Sequence, residues 1–128
     1  MITGSHFLIY SKNPDADRAF IRDVLGFKSV DAGHGWLIFG LPPAELAVHP
    51  LEQGDEFSQK HADHEMLGVV LYLMCDDAHA AVKSLRERNV TCADVSTAPW
   101  GLYTSVRLPS GGSIGLYQPT HPTAIGLS

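Results

Sequence analysis

Apolar and polar positions alternate in two distant stretches of the chain, and a helical stripe follows each. In "HFLIY", residues 6–10, Phe7 and Ile9 point to one side and His6, Leu8 and Tyr10 to the other. In "VLYLMC", residues 70–75, Leu71, Leu73 and Cys75 oppose Val70, Tyr72 and Met74. Ala16, Phe20 and Val24 then recur at the helical period, as do Ala78, Ala81, Val82 and Leu85. Asn13 can cap the first helix, with Pro14 at its first position and Asp15 and Asp17 in the electropositive first turn. Gly26 supplies its stop. Asp76 or Asp77 caps the second helix, and Asn89 takes the stop position. Further strands follow in each half. The closing pairs are residues 36–41 and 45–49 in the first, and 103–108 and 113–117 in the second.

The pattern is a duplication of βαβββ. It predicts one α+β domain over residues 1–128, with module one at about 4–51 and module two at about 67–119. The polar, aperiodic residues 52–66 read as a connecting loop, and 120–128 as a tail. The two modules are expected to form one curved, mostly antiparallel mixed sheet with both helices on its outer face; two ferredoxin-like halves packed as a sandwich are the alternative. Helices need an apolar surface beneath them, so Phe7, Leu37, Phe39, Leu71, Leu73, Val106 and Leu108 belong on that side. The concave face then receives His6, Tyr10, Trp36, Glu45, Ala47, His49, Tyr72, Tyr103, Ser105, Arg107, Gly115 and Tyr117.

Composition narrows the function classes. The chain has 128 residues, 45% of them apolar, which suits a real core. A net charge of −5 argues against nucleic acid, because no basic stripe could neutralise phosphates. No apolar run reaches membrane-spanning length, and the opening "MITGSHFLIYSKNPD" has no export-signal pattern. Cys75 and Cys92 are therefore expected to be reduced thiols in a cytoplasmic protein.

The segments "SHFLIYSKNPDADRAFIRDVLGF", "AELAVHP", "LYLMCDDAHAAVKSLRERNV" and "LPSGGSIGLYQP" resemble the vicinal oxygen chelate superfamily over about residues 4–119. This group includes glyoxalase I, extradiol dioxygenases and bleomycin-resistance proteins. The resemblance implies a homodimer. It also implies a divalent metal held by side chains from the first and last strands of each module. Carried onto this chain, those positions are His6, Ala47, Val70 and Gly115. Only His6 has a lone pair to offer, so the metal and the chemistry built on it are not expected.

"LPPAELAVHP" and "LPSGGSIGLYQP" thus carry their smallest side chains, Ala47 and Gly115, where ligands would point inward. One reading is an open trough; the other is a bulge or close chain approach at Gly115 and ordinary packing at Ala47. Tyr10, Trp36, Tyr72, Trp100, Tyr103 and Tyr117 could stack on a planar ligand, and Arg107 could pair with its acidic group. The expected function is metal-free, cofactor-free binding of a small planar, partly apolar molecule by residues including His6, Ala47, His49 and Gly115. The alternative is an enzyme. It would hold one divalent metal ion on His6, Glu45 and His49, or work without metal, with His6 or His49 as base and Tyr103 or Tyr117 as proton donor. A regulatory dimer with a filled trough is the third reading. "HADHE", with His61, His64 and Glu65, reads as a surface cluster.

Overall fold

The computed structural model describes residues 7, 9, 13–45, 47–48, 52–54 and 58–122. Its elements run α1 (Pro14–Asp23), β1 (Ser29–Asp31), β2 (Leu37–Phe39), β3 (Ser58–His61), β4 (His64–Leu67), β5 (Tyr72–Met74), α2 (Ala78–Glu87), β6 (Ser96–Ala98), β7 (Gly101–Arg107) and β8 (Ser113–Pro119). The expected opening strand lies outside the described residues except for Phe7 and Ile9.

The second module is complete. β5, α2, β6, β7 and β8 follow the βαβββ order, and the sheet order is β5-β8-β7-β6. β5 pairs parallel with β8, and the other two pairs are antiparallel. Both helices start as their sequences predict. The Asn13 side chain accepts from the Ala16 N–H at 3.3 Å, and Asp77 accepts from Ala80 N–H at 3.0 Å. Gly26 and Asn89 adopt positive φ beyond the helix ends, at 75° and 63°.

The core joins both helices to this one sheet. Phe20 of α1 and Val82 of α2 pack with Val90, Cys92, Val106, Leu108, Ile114 and Leu116. These strand residues alternate with the outward set, because successive side chains leave opposite faces. Polar links fix the docking of α1. Asp17, 3% exposed, accepts from the Ser110 N–H at 3.1 Å and the Ser110 hydroxyl at 2.7 Å. Arg88 donates to the carbonyls of Asp23 and Val24, each at 3.1 Å, capping the C-terminus of α1 from the second half of the chain.

Several expectations need correction. Residues 52–66 are not merely a loop, because β3 and β4 form a hairpin from Ser58 to Leu67. Ala62 and Asp63, at φ 49° and 63°, make the two-residue turn whose twist suits a hairpin. Every residue of this hairpin is exposed, so no face required an alternating pattern. In the first module, the strand expected at 36–41 shortens to β2, and Glu45, Ala47 and Val48 lie in no strand; Leu46 and His49 fall outside the described residues.

The strand after α2 is interrupted. Cys92 bridges Val106, yet the continuous pairing of β6 begins only at Ser96 opposite Tyr103. Three residues, Ala93 to Val95, therefore face two, Thr104 and Ser105, which is a β-bulge. The Thr104 hydroxyl donates to the bulged Ala93 carbonyl at 2.6 Å, satisfying a group the ladder bypasses.

Candidate functional site

The sheet face opposite the helices carries a cluster of aromatic rings. Tyr72 stands on β5, Tyr117 on β8 and Tyr103 on β7, while Trp100 tops the turn between β6 and β7. Trp100 stacks on Tyr103 with centroids 4.7 Å apart and planes 28° apart. It meets Tyr72 and Tyr117 edge-on at 6.0 Å and 5.7 Å, and Tyr72 meets Tyr117 edge-on at 5.5 Å. These offset and edge-to-face arrangements match the ring quadrupoles.

Local backbone chemistry holds this floor in place. The Thr120 N–H donates to the Trp100 carbonyl at 3.1 Å, and its hydroxyl donates to the Pro99 carbonyl at 3.0 Å. At Gly101 a Cβ would run into the Gln118 carbonyl, so glycine permits the close approach of β7 to β8 beneath Trp100. Gly115 sits directly beside Tyr72 across the parallel pair. A Cβ there would overlap the Tyr72 ring, lying 2.7 Å from its Cγ. The missing side chain does not leave an open trough: the tyrosine ring occupies that space. This is the close-approach alternative for Gly115.

One carboxylate reaches the floor from the first half of the chain. The Tyr117 hydroxyl donates to Glu45 Oε1 at 2.9 Å and lies 3.3 Å from His121 Nε2. His121 stacks on Tyr117 at 23° and stands 3.7 Å from Glu45. Its Nδ1 is 2.7 Å from the Pro122 carbonyl, which favours a proton on Nδ1 and leaves Nε2 an acceptor in the neutral ring. Burial, and then the Glu45 carboxylate, push the Tyr117 phenol up to about 12. Sequence reasoning placed His121 in the tail and missed it; its only signal is its position two residues past β8.

The structure thus gathers Tyr72, Trp100, Tyr103, Tyr117 and Glu45 on one face. It does not bring every other candidate there. Trp36 lies under the Arg18 guanidinium of α1, 4.9 Å from the carbon to the ring centroid, so it belongs to the α1 side. Arg107 shares the floor's strand face but is exposed at the far end of β7. Ala47 and Val70 are exposed and pair in no sheet. His6, Tyr10 and His49 lie outside the described residues.

Among the described residues, metal and thiol chemistry find little to use. Among the described residues, no three His, Cys, Asp or Glu side chains gather closely enough to hold a metal ion. Of the four positions the resemblance implies, Ala47, Val70 and Gly115 offer no side-chain donor, and the Tyr72 ring covers Gly115. The donor set does not fit the metal. Cys75 and Cys92 are free thiols, each raised above its usual pKa mainly by burial, which makes them poor nucleophiles.

A concavity of about 790 Å³ lies beside α1. Arg18 and Ile21 of α1, and Leu25 just past its end, line it with Leu37 of β2 and with Leu71 and Leu73 of the second module. Among the described residues, no helix is long and apolar enough to cross a membrane.

No protein-family model matches the chain, and no curated protein matches it. Solved structures do. TnmS3, an antibiotic binding protein from Streptomyces sp. CB03234, is 24% identical at a TM-score of 0.60, covering 94% of this chain and 100% of its own. Lactoylglutathione lyase from Agrobacterium tumefaciens is 18% identical at a TM-score of 0.61, covering 91% and 92%. A glyoxalase/bleomycin resistance protein/dioxygenase superfamily member from Sphaerobacter thermophilus is 22% identical at a TM-score of 0.55, covering 91% and 98%. The fold is the α+β architecture of these superfamily structures, as the βαβββ duplication predicts.

Proposed function

We propose that the chain binds a small planar, partly apolar molecule against its aromatic floor, with no metal or other cofactor. The observation that carries this reading is that Tyr72 and Trp100 each remain 40% exposed while packed around the buried Tyr117. Rings fixed edge-on to one another present apolar faces whose ordering cost is already met, and a flat ligand can add to that stack. Glu45 and His121, both beside the Tyr117 hydroxyl, supply the polar groups that would orient it. A phenol held near 12 is far from the range in which general acid–base catalysis works at neutral pH, so Tyr117 suits positioning better than proton transfer. The antibiotic-binding activity of TnmS3 is an analogue of this reading in a similar fold.

The same reading includes a cytoplasmic homodimer. Free cysteines fit a reducing compartment. The exposed apolar run of Leu67, Val69 and Val70, 63–78% accessible, offers a surface for a second copy.

The test is quenching of intrinsic tryptophan fluorescence by anthraquinone and naphthoquinone derivatives, with titration calorimetry on the same pairs. Saturable binding that Trp100→Ala weakens by at least about tenfold is expected, from loss of the stacking surface. Unchanged affinity in Trp100→Ala, or stoichiometric divalent metal in tag-free protein, would overturn the proposal.

A further inference from the structure

The cavity beside α1 lies on the opposite face of the four-stranded sheet from the aromatic floor. Aliphatic side chains, Ile21, Leu25, Leu37, Leu71 and Leu73 among them, share its walls with Trp36 and three phenylalanines. Leu25, Leu71 and Leu73 are half-buried at the margin of the core, so this surface is apolar and only partly covered.

Arg18 stands among these walls. Its side chain is only 22% exposed, and its guanidinium carbon lies 4.9 Å from the Trp36 ring centroid beside the cavity. Its ion-pair partner Asp15 is 3.4 Å away on a side chain 96% exposed, a geometry that contributes little. The carboxylate that shares the cavity, Asp17, is taken up by Ser110. A guanidinium on an aromatic ring beside an apolar hollow is a preorganised seat for a carboxylate, because its planar fork matches that group.

We infer that this cavity is a second ligand site, taking a small free amphipathic carboxylate. The aliphatic chain lies against Ile21, Leu71 and Leu73, and the acid group meets Arg18 beside Trp36. The volume of about 790 Å³ falls within the span of small-molecule pockets, about 300–1,000 Å³. Binding here rests on none of the floor residues, so it stands or falls apart from the planar-ligand reading.

Calorimetry of the full chain with decanoate and with decylammonium tests the site. Saturable decanoate binding is expected, with decylammonium at least about tenfold weaker, since a charge-assisted contact to Arg18 exists only for the acid. Arg18→Gln should remove that preference. Ile21→Trp and Leu37→Trp fill the hollow from opposite walls, and each should abolish binding; if circular dichroism shows that one fails to fold, the other decides. No saturable decanoate binding, an intact preference in Arg18→Gln, or parental affinity in a folded cavity-filling variant would overturn the assignment.

Discussion

Replacing Gly115 with alanine tests how the aromatic floor is held. The new Cβ would overlap the Tyr72 ring, so the ring must swing away. Swinging breaks the edge-on contacts of Tyr72 with Tyr117 at 5.5 Å and with Trp100 at 6.0 Å. Each such pair contributes about 0.5–1.5 kcal/mol beyond its buried area, so the loss is about 1–3 kcal/mol. Gly115 lies outside the positive-φ region, so alanine meets no backbone strain and restricts the unfolded chain, which returns about 0.4–1 kcal/mol. The net expectation is destabilisation of up to about 2.6 kcal/mol in a urea titration at neutral pH. The decisive comparison is a double-mutant cycle. In a Tyr72→Ala background the obstructed ring is gone, and Gly115→Ala should become stabilising by about 0.4–1 kcal/mol. Equal destabilisation in both backgrounds would refute the packing argument, because the cost would then lie in the strand and not in the ring.

Two further outcomes follow from groups described above. Asp17→Ala removes a buried carboxylate from the two Ser110 donors, and should cost about 2–3 kcal/mol in chemical denaturation. Ser110→Ala leaves the backbone donor in place and should cost less; the reverse order would contradict the assignment. Tyr117 titrates at about 12 in the folded chain against 10.0 in the unfolded one, so the unfolded state releases its proton first as pH rises. Its contribution to stability is complete below pH 10 and is lost toward pH 12, and phenolate absorbance during alkaline titration should show a late-titrating component that Tyr117→Phe removes. Glu45→Gln should lower that late midpoint only in part, since burial is the larger cause.

The second module was legible because one face of its sheet is buried. Val106 and Leu108 alternate with Tyr103, Ser105 and Arg107, so simple parity assigned both faces of this segment. That gathered Tyr72, Tyr103 and Tyr117 correctly on the face opposite the helices. The hairpin at β3 and β4 escaped the reading because all its residues face water, and a strand with no buried side has no period to detect. The bulge at Ala93 to Val95 was invisible for a related reason: an extra residue moves pairing along the strand without changing composition. Trp36 follows α1 through Arg18, a contact that no spacing rule encodes. His121 joins the floor from beyond the end of β8, where no strand period assigns it a face.

The two Arg88 bonds to the end of α1 divide the molecule differently from the repeat in its sequence. By descent of pattern, α1 belongs to the first half; by attachment, it belongs to the second. Amide protons of α1 should therefore exchange with deuterium in concert with those of β7 and β8, as one cooperative opening, while the β1–β2 and β3–β4 ribbons release theirs far sooner. A cut through the linker would leave the first fragment without the sheet its helix rests on, so the halves of this duplication are not interchangeable folding units.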